Sequence, residues 1–448
     1  MFSLHETVQK RVCRAAFVVG CVVPTLWTIG WIVYFHRPWH RADWQRTLTQ
    51  QLHLRATLDD FAYPRPGVTR LIGLELAELR SGKPLASIDK LRVQRHGGQL
   101  ALVADQVELE ARQFSALAAA LDTWLSAADL PSVELRADRL TLVDRSPGSA
   151  ENAAVSNRVE MTNLRVRGEL VGQAPRRFWI QAELSDAGQT GGASTLTIQL
   201  VIQRTEDRLL ATLDTKQSPL PVWLLAEVVP GWGRCPAARF TGALQIENNA
   251  LGLRGSLTGR FDNVDLQQWV GPIAAPHRLA GTVDVKLDQL TWQNGRVDVA
   301  KGELHGAAGV VSRSLLSTAA KRLFCALGPR LSGAEKTSAE QPQAFDQLAC
   351  RFRMTSVGIT LSGTCSVDAQ GARGCLLAVD RQPLLWEPGY VDLPVAQLVQ
   401  ALAQPAASWL PATREAHQMA GALPLPSAAE TEAKQVAARP DATRDGPR

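Results

Sequence analysis

The side chains able to do chemistry are sparse and widely spread. The eight histidines are His5, His36, His40, His53, His96, His277, His305 and His417. Only His36 and His40 have the spacing that puts two imidazoles on one helix face, the minimum for a metal site there. They flank Arg37 and Trp39 at the edge of an apolar stretch, so an interfacial position is the expected reading of the pair. No HExxH, GxSxG or Walker A sequence occurs, and Ser81-Gly82-Lys83 lacks the upstream glycine and the following hydroxyl of a phosphate loop. Asp284 with Asp288, and Asp262 with Asp265, could be acid/base pairs, but charges at such intervals are ordinary on the wet face of strands. Trp223, Trp232, Trp269 and Trp292 could line a ligand surface, and are read as rings that close the open end of an apolar core. The expectation is a chain with no catalytic residue, metal site or cofactor.

Cysteine leaves two readings open. Cys13 and Cys21 lie in or beside the apolar stretch; Cys235, Cys325, Cys350, Cys365 and Cys375 form an odd set without a CxxC. One or two disulfides among the last four, for example Cys350 or Cys365 with Cys375, stand beside buried free thiols. Val18-Val19-Gly20-Cys21 has the look of a lipidation signal, but more apolar sequence follows Cys21 where a polar mature terminus would be needed.

The elements that must position these residues begin with an anchor. Residues 15 to 35 carry no charge and are broken only by Pro24, a length that crosses a hydrocarbon core of roughly 30 Å. Ala15, Phe17, Val18, Leu26, Trp27, Ile29, Trp31, Ile32, Tyr34 and Phe35 are its expected lipid-facing residues, with Trp27, Trp31, Tyr34, Trp39 and Trp44 as an aromatic belt. The net charge is +5, and residues 1 to 46, with six basic and two acidic side chains, hold +4 of it. The basic excess therefore flanks the anchor, where it meets anionic head groups, and too little remains for a nucleic-acid-binding face. Both flanks being basic, charge does not fix the orientation. A short inner tail (1–14) with the bulk translocated is the expected arrangement.

Beyond a short amphipathic helix at Arg41–Arg55, the dominant hydrophobic period is two. Val133 and Leu135, Leu140 and Leu142, Leu164, Val166 and Leu170 alternate with polar residues. So do Leu196, Ile198, Leu200 and Ile202, Leu244 and Ile246, Leu251 and Leu253, and Leu257 and Phe261. Val283, Val285 and Leu287 lead through an expected turn to Leu290 and Trp292; Val297 and Val299 follow Gly295, and Phe352, Met354, Ile359 and Leu361 end the series. With 34 glycines and 25 prolines as punctuation, this predicts antiparallel meander strands with one apolar and one wet face. Helices are expected at Phe114–Ala128, Pro221–Val229, Leu266–Val270, Gly309–Leu327 (with Leu315, Leu316, Leu323 and Phe324 on its apolar face) and Val395–Leu402. Loops are expected at Arg145–Asn157 and Leu331–Ala344, and a flexible tail over 404–448, most clearly from Gly421.

Tyr63-Pro64-Arg65-Pro66-Gly67, then Leu71, Gly73, Leu74, Leu76 and Pro84-Leu85-Ala86 up to Ile88, resemble the start of the AsmA-like family. Leu91 and Val93 lie in the strand that follows. Gly255-Ser256-Leu257-Thr258-Gly259 and Leu279-Ala280-Gly281-Thr282-Val283 resemble its later strand starts. The resemblance runs loosely from the anchor to about residue 403. It implies a mainly β fold with peripheral helices: an extended, curved antiparallel sheet, a taco-shaped groove over 36–403, behind one N-terminal transmembrane helix. About 16 to 20 strands would span about 75 to 95 Å. It also implies phospholipid as partner, the inner membrane with the bulk in the periplasm as location, and support of outer-membrane biogenesis as role. The residues expected to face lipid are Leu196, Ile198, Leu200, Leu244, Ile246, Val283, Val285, Leu287, Val297 and Val299. From periodicity alone, a sealed β core serving as an interaction scaffold fits the same stripe.

Overall fold

A computed structural model describes residues 6–35, 38–65, 67–97, 99–126, 132–144, 157–169, 176–184, 196–205, 207–226, 228–229, 232, 235, 237–274, 277–332, 342–368, 373–389, 392–395, 397–398 and 421–424. The fold is mainly β. Among the described residues, twenty strands belong to one open sheet, every ladder is antiparallel, and helices are few. The chain divides into two compact units, Met1–Pro131 with Leu135–Leu142, and Ser132–Glu134 with Val143–Arg448.

The first unit opens on α1 (Glu6–Phe17), a π-helical turn (Val18–Val22) and α2 (Val23–Phe35). Within this run, the 21 residues Lys10–Gly30 are long and apolar enough to cross a membrane. The π turn has a cause in Pro24, which has no N–H for the carbonyl four residues back and crowds it, so the helix widens for one turn. Thr25 Oγ1 donates to the Cys21 carbonyl at 2.6 Å and Thr28 Oγ1 to the Pro24 carbonyl at 2.7 Å, which keeps these polar groups satisfied within the segment. Ala15, Phe17, Val18, Leu26, Trp27 and Ile29 are all exposed. Trp31, Ile32, Tyr34 and Phe35 are helical, and their side chains lie outside the described residues.

The amphipathic helix is α3 (Pro38–Leu52), ending where His53 takes a positive φ. It is tied to β1 (Arg55–Arg65): Arg41 Nη1 donates to the Asp59 carbonyl at 3.0 Å and Trp44 Nε1 to the Tyr63 hydroxyl at 3.0 Å. β2 (Val68–Ala77), β3 (Pro84–His96) and β4 (Gln99–Glu110) continue the meander, and Gly67 turns the first hairpin at φ +77°. Two buried rows cross it in register: Leu58, Leu74, Ile88 and Val107, and Phe61, Leu71, Leu91 and Ala104. Helices α3 and α4 (Phe114–Ser126) pack on β1 and β3 and on each other. β5 (Ser132–Asp144) follows, and the division between the units falls inside it.

In the second unit a ladder runs through β6 (Asn157–Glu169), β7 (Arg176–Leu184), β8 (Leu196–Arg204) and β9 (Arg208–Asp214). After the two-residue β10 (Leu220–Pro221) it continues through β11 (Arg239–Asn249), β12 (Gly252–Asp265), β13 (Leu279–Gln293) and β14 (Arg296–Ser312). β15 (Cys325–Leu327) pairs elsewhere, with β20, and β16 (Pro342–Phe345) pairs with β14. The ladder proceeds from β14 to β17 (Gln347–Thr355) and β18 (Ile359–Gly363), while β19 (Cys375–Val379) joins β17 to β20 (Gln382–Pro388).

Several expectations are corrected. No helix covers Gly309–Leu327: Val310 and Val311 extend β14 by pairing with β13 and β16, and the helix α6 is only Arg313–Arg322. Ser312 caps it by accepting from the Leu315 amide, and Phe324, at φ +57°, leaves the helical path and is exposed. The expected turn between Leu287 and Leu290 is a bulge inside a continuous β13. Leu251 is no strand residue but sits 75% exposed in the β11–β12 turn. The helix expected from Pro221 is a 3₁₀ turn over Val222–Leu225, and α5 runs longer than expected, Leu266–Ala274. Most of the two expected loops, of the helix at Val395–Leu402 and of the tail, together with Leu170, lies outside the described residues. Leu331 is in a short helical turn and Pro342 opens β16.

Candidate functional site

The ladder of the second unit brings the expected stripe together. Following the register from strand to strand gives one row across ten strands: Val166, Ile180, Leu200, Leu213, Leu244, Leu257, Leu290, Ala300, Met354 and Ile359. Every position in the row is apolar. A flanking row runs Gly168, Phe178, Ile202, Ala211, Ile246, Gly255, Trp292 and Val297. Glycines in it make room for rings: a Cβ on Gly255 would lie 2.0 Å from the Trp292 ring, and one on Gly168 would lie 2.5 Å from Phe178. The next rows toward the other strand ends contain Leu287, Phe352 and Leu361, and then Phe240, Phe261, Val285 and Leu304.

This face is sealed over its middle, and toward β6 one of its rows is half-buried. Leu244, Leu257, Phe261, Val283, Val285, Leu287, Leu290, Trp292 and Val297 share one buried cluster. The cover comes from the segment with Val222, Leu225, Val229 and Trp232, and from α5, whose Trp269 and Val270 pack on the cluster. Trp232 stacks on Phe261 with centroids 3.7 Å apart, and Trp269 stacks on Trp232 at 5.0 Å. Burying each such side chain stabilises by about 1.5–3 kcal/mol. Toward β6 this one row, Val166, Ile180 and Leu200, is half-buried, while Phe178, Ala182, Ile198 and Ile202 beside it on the same face are buried and Leu213 packs against the cluster.

Nine of the ten residues expected to face lipid lie on strands of this ladder with their apolar-face partners. Leu200, Leu244, Ile246, Val285, Leu287 and Val297 fall in the rows above; Val283 pairs with Val264, Ile198 with Ala182 and Leu196 with Leu184. The side chain of Leu196 lies outside the described residues. Val299 is the exception. An extra residue, Asp298, stands between Val297, opposite Trp292, and Val299, opposite Thr291, and this bulge turns Val299 to the other face. Ala300 takes the apolar place. Ile180 and Leu213 belong to the row and were not among the expected residues.

The opposite face is wet and charged. Arg260 donates to Asp284 at 2.7 Å and contacts Asp262, and Lys286 faces Asp288 at 3.7 Å. Arg351 donates to Glu303 at 2.7 Å, with His305 3.6 Å from the same carboxylate. The hydrogen bond from Arg351 holds the Glu303 carboxyl below its ordinary range, and that with Asp284 raises Arg260. Asp265 caps α5, accepting from the Gln267 amide at 2.8 Å. The carboxylates considered as acid/base pairs are thus occupied by ion pairs or a helix cap. Among the described residues no group of three or more His, Cys, Asp and Glu is placed to hold a metal ion. No protein-family model matches the chain, and no curated protein matches it.

Proposed function

We propose that this chain is a membrane-anchored, non-catalytic protein of AsmA-like type, which holds or moves phospholipid acyl chains on the apolar face of its second unit. In this reading it is anchored in an inner membrane with its bulk in the periplasm and supports outer-membrane biogenesis. The observation that carries the proposal is the half-buried row Val166, Ile180 and Leu200. A row of aliphatic side chains on β6–β9 continues a buried core outward without a polar interruption, and half-buried aliphatic surface of that kind is favourably covered by hydrocarbon. The apolar helix at Lys10–Gly30 would keep that surface at a bilayer, where acyl chains are the abundant apolar ligand. Aliphatic contacts without directional partners suit a ligand that slides.

The sealed middle favours a second reading, a scaffold whose β core is complete without ligand. A photo-crosslinking amino acid separates the two when placed in the full-length chain in its membrane. At Leu200 the lipid reading expects a lipid adduct, with none at the adjacent Gln199 on the opposite face. Equal labelling at both positions, or protein adducts alone at Leu200, favours the scaffold.

A further inference from the structure

The second unit gathers three of the seven cysteines where the chain crosses itself after β18. Cys365 and Cys375 are neighbours whose ionisation is linked, Cys365 Sγ donating to the Gln347 carbonyl at 3.7 Å and Cys375 Sγ to the Leu377 carbonyl at 3.2 Å, and Cys350 lies on β17 opposite Gly363, two residues before Cys365. The backbones of the pair touch: the Cys365 amide donates to the Cys375 carbonyl at 2.9 Å. β18 and β19 both pair antiparallel with β17 and so run parallel to each other, and this amide-to-carbonyl bond holds the two cysteine backbones side by side. Two glycines permit the approach. A Cβ on Gly363 would lie 2.3 Å from the Cys375 backbone, and one on Gly374 would lie 2.3 Å from the Gly363 carbonyl. Glu387 fixes the crossing, its carboxylate accepting from the Gly363 amide at 3.0 Å and its own amide donating to the Gly374 carbonyl at 2.8 Å.

We infer that Cys365 and Cys375 form a disulfide-exchange site, in which half-exposed Cys365 meets a disulfide oxidant and buried Cys375 resolves the adduct. The thiolate of Cys365 attacks one sulfur of the oxidant, the oxidant's S–S bond breaks, and its other half leaves as a thiolate. Cys375 thiolate then attacks the Cys365 sulfur, forming the intrachain bond and expelling the second half. Two protein thiols are oxidised, one disulfide oxidant is reduced to two thiols, and the two protons pass to those thiols. The order of events follows access: Cys375 is 2% exposed and closed to an external oxidant, while Cys365 is partly open. The contact with Cys375 and burial raise the Cys365 thiol while Cys375 is lowered, so access and not acidity sets the order, and the first attack is the slow step. Cys350, pushed up to about 12 by burial, stays a protonated bystander.

The test uses oxidised glutathione on the full-length protein in detergent, read by non-reducing peptide mapping. The inference expects one intrachain link, Cys365–Cys375, reversed by dithiothreitol and unchanged in C350S. In C375S, Cys365 accumulates a single glutathione; in C365S, Cys375 stays unmodified while circular dichroism shows the native β signal. A link through Cys350, or an unlinked pair after exhaustive oxidation of a folded chain, overturns it. This outcome is independent of whether the apolar face binds lipid.

Discussion

Gly255 and Trp292 are neighbours across β12 and β13, and the indole occupies the space a side chain would need. Gly255→Ala should therefore destabilise by about 1–3 kcal/mol, the usual penalty for overpacking. In a Trp292→Leu background the same change should lose most of its effect, which a double-mutant cycle in urea reads directly. His277 permits a pH prediction. Burial lowers its pKa from 6.5, and its Nδ1 lies 2.8 Å from the Ser314 hydroxyl at the start of α6. The folded chain thus keeps the imidazole neutral at pH values where the unfolded chain takes up a proton. Its contribution is complete above about pH 6.5 and is lost as the pH falls below it. Melting temperatures of His277→Gln should decline less steeply on acidification than those of the parent. An equal decline would assign the acid sensitivity to other groups.

Strands are where period two was a good guide and bulges are where it failed. Leu244, Val283, Val285 and Val297 were legible as apolar-face residues because a pleated strand alternates by geometry. Val299 was not, since one extra residue reverses the phase and Asp298 carries no mark that distinguishes a bulge from an ordinary wet-face position. Ile180 was missed although Phe178, Ile180, Ala182 and Leu184 alternate plainly. Leu213 sits in a strand where Leu209, Leu210 and Ala211 are consecutive and no alternation exists to read. Val310 and Val311 fit a helix pattern as well as a strand, and only their pairing with β13 and β16 decides. Deleting Asp298 should close the bulge and leave Val297 and Ala300 on the apolar face and Val299 on the wet one, because Val297 and Val299 already stand opposite the adjacent Trp292 and Thr291. A deletion variant with Val299 on the apolar face would contradict the bulge. For α3, Tyr63→Phe removes the acceptor for Trp44 Nε1 and should lower stability by about 0.5–1.5 kcal/mol.

At the scale of the whole molecule, the fold class was readable because the strand pattern repeats so often, and the long apolar N-terminal helix because residues 15 to 35 carry no charge. What covers the apolar face was not readable. The lid is built from Trp232, Trp269 and the segment around Val222, whose sequence carries no periodicity linking it to distant strands. Oxidation at Cys365 and Cys375 would close a loop of about ten residues and should add roughly 2–3 kcal/mol in the chain-entropy account. Whether the half-buried row on β6–β8 holds acyl chains is read by native mass spectrometry of the full-length protein released from mild detergent. Phospholipid should be bound to the parent and lost from Leu200→Asp and Ile180→Asp, both still β-folded by circular dichroism. A folded parent that carries no lipid, or variants that retain it, would contradict the claim.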